Sequence, residues 1–412
     1  MIILLTGGCK NGKSSLAQKL SVFLSKRKSG RLYYVATMKS TGEEDDERIR
    51  KHVEDRKGLG FTTIEIQEKI HTLPMKAEKI DTRPKETEKN ACRANGAETV
   101  ESESARTYLI DSTTALLANE MFRTKEPVEG EGDKDGAAGM AGTGTEGDSG
   151  AAEFYVDREA TERVAGEVGR LIESAKGCGD ASGRIKDGSE VSTPAKGQGV
   201  DLIFVSDGIY SDAAVYDGDT YLYRKGLGRL ERVISDAADL VIEMCAGVPI
   251  IHSVSAEAAG DVELMNMMKR DVNTRETASA AANEASSAGG VGRGAFIVGG
   301  ASQGKRAFAK EKFGLKDEDI YTFNRDDEAI PVGYKAYEHI ERLVWEGRHS
   351  IYELSDVLPK DAVLICEDIT CGIVPMNRED RRWRDDVGRL MQALGAERQI
   401  YRVICGKGTK IG

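Results

Sequence analysis

The chain alternates between short apolar runs and segments with helical spacing of apolar residues. An opening run, Met1–Thr6, is followed by five further runs predicted as strands: Arg31–Ala36, Thr62–Ile66, Thr107–Asp111, Asp201–Asp207 and Leu240–Met244. The segments predicted as helices are Ser15–Leu24, Glu43–Arg56, Thr113–Phe122, Asp157–Ser174 and Asp219–Ala237. Such alternation is typical of an α/β fold, a mostly parallel sheet with helices on both faces.

Four stretches lack this periodicity and are rich in polar, charged or small residues. They cover about residues 72–105, 124–152, 177–199 and 254–293. Because they offer little apolar surface to offset the entropy of ordering, we expect flexible insertions and, for the last stretch, a flexible linker.

The pattern of the amino terminus begins again after the last of these stretches. Gly294–Val298 and the following glycine-rich loop repeat the first strand and loop, and Ala362–Cys366 echoes Leu202–Ser206. The helix signature Leu227–Leu230 recurs as Val387–Leu390, and the spacing from the acidic residue after the strand is nearly kept, Asp207 to Arg229 in one copy and Asp368 to Arg389 in the other. We therefore predict an internal duplication, with a first domain at 1–253, a linker at 254–293 and a second, shortened domain at 294–412.

The first strand leads directly into G-x-x-x-x-G-K-S, the phosphate-binding loop at residues 7–14. Glycines allow successive backbone N–H groups to face phosphate oxygens, and Lys13 adds a positive charge. The hydroxyl of Ser14 is suited to complete a Mg²⁺ shell. A strand before the loop and a helix after it supply the expected context, so the sequence predicts binding of a nucleoside triphosphate. The second loop has Arg306 in the place of Ser14 and lacks that hydroxyl.

A strongly charged helix follows the second predicted strand. Arg48, His52 and Arg56 occur at i, i+4 and i+8, which places them along one stripe. Two interpretations are open: a solvated basic helix face, or arginines that hold phosphate oxygens while a neutral imidazole attacks phosphorus.

Composition narrows the classes of function. The 412-residue chain is long enough for two or three domains, and its formal net charge of −11 argues against broad binding to nucleic acid or anionic membranes. The sequence holds no run long enough for a membrane span, and its seven cysteines form no C-x-x-C pair. We expect a cytoplasmic protein with reduced thiols.

Three sequence features together resemble the bifunctional adenosylcobinamide kinase / adenosylcobinamide-phosphate guanylyltransferase family. They are the phosphate loop, the strand end at Thr37, and the Arg48–His52–Arg56 segment, in that order. The second copy adds Gly372-Ile-Val-Pro-Met-Asn-Arg378, then Trp383-Arg-Asp385 and Gly388-Arg389, which match the carboxyl-terminal pattern of that family.

The resemblance implies a P-loop NTPase-type fold and two reactions in cobalamin biosynthesis. ATP or GTP would phosphorylate adenosylcobinamide, and GTP would then donate GMP through a covalent histidine–GMP on His52, with Lys13 as the second catalytic residue. It also implies Mg²⁺ held by Ser14 and by Asp111, which stands where the family has glutamate, and a corrinoid as the second substrate. The resemblance further implies a homo-oligomer, and we expect either that or an internal pseudo-oligomer formed by the two copies. The candidate nucleotide-binding residues are Gly7, Gly8, Cys9, Lys10, Asn11, Gly12, Lys13, Ser14, Ala36, Thr37, Met38, Arg48, Arg56, Glu65 and Asp111.

The two copies retain different parts of the family pattern. The first has the histidine and the intact loop but lacks Gly-Ile-Val-Pro, whereas the second has the reverse. We hypothesise that the first copy carries catalysis and the second completes a subunit interface or the corrinoid site. Two alternatives remain: a P-loop kinase or NTPase for another small substrate, and a nucleotide-sensing regulatory protein without turnover.

Overall fold

The computed structural model describes residues 1–40, 42–81, 105–124, 154–177, 199–209, 216, 218–268 and 294–412. Most of the four stretches predicted to be flexible lies outside these residues. Within the described residues, no helix is long and apolar enough to cross a membrane.

The first half of the chain builds a seven-stranded sheet in the order β3-β2-β4-β7-β1-β8-β9. All neighbouring strands are parallel except the pair β8 and β9. The strands are β1 (Ile2–Gly7), β2 (Arg31–Ala36), β3 (Thr62–Glu65), β4 (Arg106–Asp111), β7 (Val200–Val205), β8 (Leu240–Cys245) and β9 (Val248–Val254). A separate antiparallel pair, β5 (Phe122–Thr124) and β6 (Phe154–Val156), lies apart from this sheet.

Helices cover both faces of this sheet. They are α1 (Lys13–Arg27), α2 (Glu43–Asp55), α3 (Leu73–Asp81), α4 (Thr113–Met121), α5 (Ala160–Ala175), α6 (Gly218–Ala237), α7 (Ala256–Gly260) and α8 (residues 262–268). Successive side chains of a strand point to opposite faces. In β1, Ile3 and Leu5 pack with α1 and α8, while Ile2 and Leu4 pack in the cluster formed with α4, α5 and α6. The central strand is buried on both faces, which explains its continuous apolar run.

The second half builds a six-stranded sheet in the order β11-β12-β13-β10-β14-β15. Its strands are β10 (Ala295–Gly299), β11 (Ile320–Thr322), β12 (Ala336–Glu338), β13 (Val363–Glu367), β14 (Gln399–Ile404) and β15 (Lys407–Lys410), all parallel except the last pair. Its helices are α9 (Lys305–Phe313), α10 (Ile351–Val357) and α11 (Arg378–Glu397). The α/β class with two mostly parallel sheets, predicted from the sequence, is confirmed.

Strand register defines which residues of the two halves are equivalent. Leu5 of β1 lies beside Val205, and the matching residue of β10, Ile297, lies beside Ile365. Continuing along the chain, Asp207 corresponds to Glu367. Strand register therefore pairs Asp207 with Glu367 and not with Asp368, in agreement with the repeat of Leu202–Ser206 as Ala362–Cys366.

Two stretches expected to be flexible are ordered at their starts. In α3, Leu73 and Ala77 occur at i, i+4 and are fully buried, so residues 73–81 belong to the first half. After β9, Leu264 and Met268 of α8 pack in the core beneath α1. Residues 254–268 therefore extend the first half beyond the boundary expected at 253.

Every strand and helix predicted for the first half is present, with ends that differ by no more than three residues. The β8–β9 turn also joins the two halves, because Cys245, Ala246 and Val248 are buried in the core of the second half.

Candidate active site at the junction of the two halves

The phosphate loop connects β1 to α1 at the carboxyl edge of the first sheet. Gly7 has φ +137°, and a Cβ there would lie 2.4 Å from the Met244 carbonyl oxygen. Gly12 has φ +90° and precedes the first turn of α1. Both positions require glycine, because other residues rarely adopt such φ values and the first has no room for a side chain.

Lys13 anchors the loop from within. Its buried ammonium donates hydrogen bonds to the carbonyl oxygens of Gly7 and Gly8, at 3.0 and 2.7 Å. It also lies 2.9 Å from a carboxylate oxygen of Asp207, which follows β7. Asp207 is absent from the residues predicted for the site, although its place just beyond an apolar strand is typical of a carboxylate beside a phosphate loop.

The Lys13–Asp207 pair keeps both groups charged. Burial acts to raise the pKa of Asp207, but the charge and hydrogen bond of Lys13, followed by the charge of Arg384, hold it below its usual value. Burial acts to lower the pKa of Lys13, but Asp207 outweighs that effect and raises it. Lys13 therefore stays protonated, paired with Asp207, at the base of the phosphate loop.

A cavity of about 360 Å³ opens around this loop. Its walls from the first half include the loop residues Cys9, Lys10, Asn11, Gly12, Lys13, Ser14 and Ser15. The other first-half residues in the walls are Met38, Arg48, Lys51, His52, Asp55, Asp111, Ser112, Val205 and Asp207. A volume of this size lies at the lower end of the range for small-molecule sites.

One face of α2 forms a wall of the cavity. Arg48, Lys51, His52 and Asp55 occur at i, i+3, i+4 and i+7 and all line it. His52 therefore shares the cavity with Lys13 and Ser14, the arrangement on which the predicted transfer of a nucleotidyl group depends.

Arg56 does not line this cavity, contrary to the expected Arg48–His52–Arg56 stripe. Eight residues turn a helix by about 80° beyond two full turns, so Arg56 leaves the face that begins at Arg48. Its guanidinium lies 3.5 Å from the centre of the Tyr34 ring, and Arg56 is 7% exposed. The Tyr34 hydroxyl donates to Asp111 at 3.1 Å. Arg56 thus supports the cavity wall from behind.

The turn after β4 brings Asp111 and Ser112 to the cavity. Thr37 at the end of β2 is fully buried and holds this turn, since its hydroxyl donates to the Ser112 carbonyl oxygen at 2.8 Å and accepts from the Ser112 N–H at 2.7 Å.

The remaining sequence-predicted residues fall into two groups. Met38 lines the cavity, whereas Gly7, Gly8, Ala36, Thr37 and Glu65 are absent from its walls. Glu65 lies in β3 beside Ala36 and its side chain is exposed.

The second half closes the cavity. The residues it contributes are Val374, Arg381, Arg384, Asp385 and Gln392, all within or just before α11. Val374, Arg384 and Asp385 belong to the carboxyl-terminal motifs of the second copy, but the sequence did not predict that they reach this site.

Backbone and side-chain contacts attach the phosphate loop to the second half. The Cys9 N–H donates to the Thr370 carbonyl oxygen at 3.0 Å. Asn11 is buried and donates to the Thr370 hydroxyl at 3.0 Å, while it accepts from the Ala246 N–H of the β8–β9 turn in its own half at 3.1 Å. The Cys9 thiol donates to Asp385 at 3.0 Å. Burial, followed by the charge of Asp385, raises the pKa of Cys9 to about 11.

The second phosphate loop has a different arrangement. Lys305 donates to the Gly300 carbonyl oxygen at 2.7 Å, like its counterpart Lys13. Arg306 forms ion pairs with Glu338 at 2.5 Å and Asp317 at 3.0 Å. By strand register Glu338 is the counterpart of Asp111. In the second half, the guanidinium of Arg306 therefore pairs with Glu338. In the first half, the corresponding carboxylate of Asp111 faces the cavity.

Three histidines outside the cavity lie next to carboxylates. His71 lies 3.2 Å from Glu167, and His252 lies 2.7 Å from Glu243. His339 lies 2.7 Å from Glu341 and 3.9 Å from Glu367. Such partners are typical of ordinary packed or surface histidines.

A comparison with known families matches residues 3–83 to the family described as cobinamide kinase / cobinamide phosphate guanyltransferase. The matched segment holds the phosphate loop and α2 with His52. No curated protein matches the chain. At residues 3–83 the chain therefore carries a domain of the cobinamide kinase / cobinamide phosphate guanyltransferase family, a family with a P-loop fold. The second parallel sheet, in the C-terminal half, is consistent with a duplicate of that architecture.

Proposed function

We propose that this protein phosphorylates adenosylcobinamide and transfers GMP from GTP to adenosylcobinamide phosphate through a histidine–GMP intermediate on His52. The observation that carries the proposal is the shared cavity, in which His52 lies with Lys13 and Ser14 of the phosphate loop. The family match at residues 3–83 supplies the substrate class.

In the nucleotidyl step, the lone pair of a neutral His52 ring nitrogen attacks the α-phosphorus of GTP. A nitrogen–phosphorus bond forms, the bond to the β-phosphate oxygen breaks, and pyrophosphate leaves with that electron pair. The second ring nitrogen keeps its proton, so that His52 leaves as a neutral imidazole, with the electron pair of the nitrogen–phosphorus bond, in the next step. Adenosylcobinamide phosphate then attacks the same phosphorus through a phosphate oxygen and releases His52.

In the kinase step, the aminopropanol hydroxyl of adenosylcobinamide attacks the γ-phosphorus and a nucleoside diphosphate leaves. Lys13 and the loop N–H groups stabilise the charge on the transferred group. The hydroxyl proton passes to a carboxylate of the cavity, for which the first half offers Asp55, Asp111 and Asp207.

A divalent cation fits the oxygen donors that face the cavity. The hydroxyl of Ser14 and the carboxylate of Asp111 would hold Mg²⁺, which prefers oxygen ligands and would neutralise charge on the phosphates. The cavity of about 360 Å³ suits a nucleotide but is too small to enclose a corrin ring as well. We therefore place the corrinoid across the mouth of the cavity.

Incubation of the full chain with α-labelled GTP and Mg²⁺ tests the proposal. We expect an acid-labile, alkali-stable protein–GMP adduct that disappears in His52→Ala. His252→Ala is the matched control, because His252 is exposed and paired with Glu243 outside the cavity. Phosphorylation of adenosylcobinamide without any adduct would leave a kinase only and overturn the nucleotidyl step.

A further inference from the structure

Arg384 is a buried cation of the second half that faces the nucleotide cavity of the first half. It lies on α11, is 5% exposed, and lines the cavity together with Lys13 and His52. Its Nε donates to the Thr370 carbonyl oxygen at 3.2 Å. That same carbonyl oxygen accepts the Cys9 N–H, so Arg384 is held in place relative to the phosphate loop.

The bond to Thr370 is the one hydrogen bond that Arg384 makes within the described part of the chain, and no carboxylate there lies within ion-pair distance of it. Neighbouring arginines of α11 differ, since Arg382 and Arg389 both pair with Asp386. A guanidinium carries five N–H donors, and a buried charge without a partner is costly. The remaining donors of Arg384 are therefore available to an anion that enters the cavity.

The charge of Arg384 reaches the centre of the site. Although burial acts to raise the pKa of Asp207, Arg384 contributes to holding it low, after the larger effects of Lys13. Asp207 is already paired with Lys13 at 2.9 Å, so it does not neutralise Arg384.

We propose that Arg384 binds the outer phosphates of the nucleotide held by the first-half loop, so that one active site draws its phosphate-binding cations from both halves. The inference deepens the proposed function and rests on the nucleotide site described there. During GMP transfer these phosphates leave as pyrophosphate, and the planar guanidinium would stabilise the charge that develops on them.

The equivalent arginine of the first half does not face the nucleotide cavity. Arg224 of α6 corresponds to Arg384 by the shared Gly-Arg-Leu signature. It lies outside the nucleotide cavity, in an open groove between α6 and the first sheet, with its guanidinium 4.9 Å from the centre of the Tyr216 ring. The two copies have therefore placed equivalent arginines in different environments.

The test measures affinity for GTP, GDP and GMP by calorimetry, with full chains that carry His52→Ala to prevent turnover. We expect Arg384→Gln to weaken GTP binding by about 10- to 100-fold and GMP binding by less than about threefold, since the guanidinium contacts the outer phosphates. Arg384→Lys keeps the charge and should recover part of the GTP affinity. Arg382→Gln, on the exposed side of the same helix, is the matched control.

Thermal melting curves show whether each variant is folded. If Arg384→Gln does not fold, the ratio of GTP to GMP affinity in Arg384→Lys decides, because a lost bidentate contact lowers it. An equal loss for all three nucleotides, or no loss, overturns the inference. Failure of the proposed function would instead appear as a missing GMP adduct in the chain with His52 intact, an outcome that these binding measurements do not depend on.

Discussion

Substitution of Gly388 by alanine should separate the two halves at the nucleotide cavity. Gly388 is buried in α11 where that helix meets the phosphate loop. A Cβ at this position would lie 2.4 Å from the Cys9 carbonyl oxygen and 2.8 Å from the Cβ of Lys10. The first of these contacts is to backbone, so no side-chain rotation relieves it.

The size of the effect follows from that distance. Ordinary contacts of a Cβ begin at 3.4 Å, so α11 and the loop must move apart by about 1 Å. Overpacking of this kind costs about 1–3 kcal/mol, which the gain of about 1 kcal/mol from replacing glycine within a helix partly offsets. A misplacement of about 1 Å at a reacting centre lowers rates by about 100-fold. We therefore expect a small change in melting temperature and a large loss of histidine–GMP formation.

Rapid-quench measurement of adduct formation, with thermal unfolding followed by circular dichroism, checks this expectation. Gly169→Ala is the matched control, because Gly169 lies in helix α5 and a Cβ there meets nothing within 4 Å. That variant should keep the wild-type rate and become slightly more stable. Wild-type rate and stability for Gly388→Ala would show that α11 does not contact the loop in the working protein, and would refute the composite cavity.

Two further predictions concern the loops. Lys13→Ala should lower the rate of adduct formation by about 100-fold. Lys305→Ala in the second loop should leave that rate near the wild-type value, because Arg306 of the same loop is already paired with Glu338 and Asp317. Equal losses for the two variants in a GMP-transfer assay would contradict this assignment. With a pKa of about 11, Cys9 is almost entirely a thiol at pH 8. Its alkylation by iodoacetamide should be about 100-fold slower than that of exposed Cys405 and should rise as pH approaches 11. Peptide mass spectrometry measures both rates, and equal labelling at pH 8 would show that Cys9 is not shielded.

Local elements were predictable from sequence because their causes are local. The strands and helices of the first half follow from apolar periodicity and from glycine, which the loop geometry demands at Gly7 and Gly12. The repeat was also visible, since a second strand and loop reproduce the first. The start of α3 was missed because its short run of charges and apolar residues resembles the polar stretch that follows.

Side-chain direction around a helix was only partly predictable. His52 and Arg48 lie on the expected face, but Arg56 rotates away to stack on Tyr34.

By itself the sequence determined two α/β units, a phosphate loop with its lysine and serine, and a histidine on a charged helix. Only the tertiary structure decided that α11 of the second half packs against the loop of the first and brings Arg384 and Asp385 to its cavity. The physical reason is distance along the chain: the groups that meet there are more than 350 residues apart, and their contact depends on how two folded surfaces fit together, which no local pattern encodes.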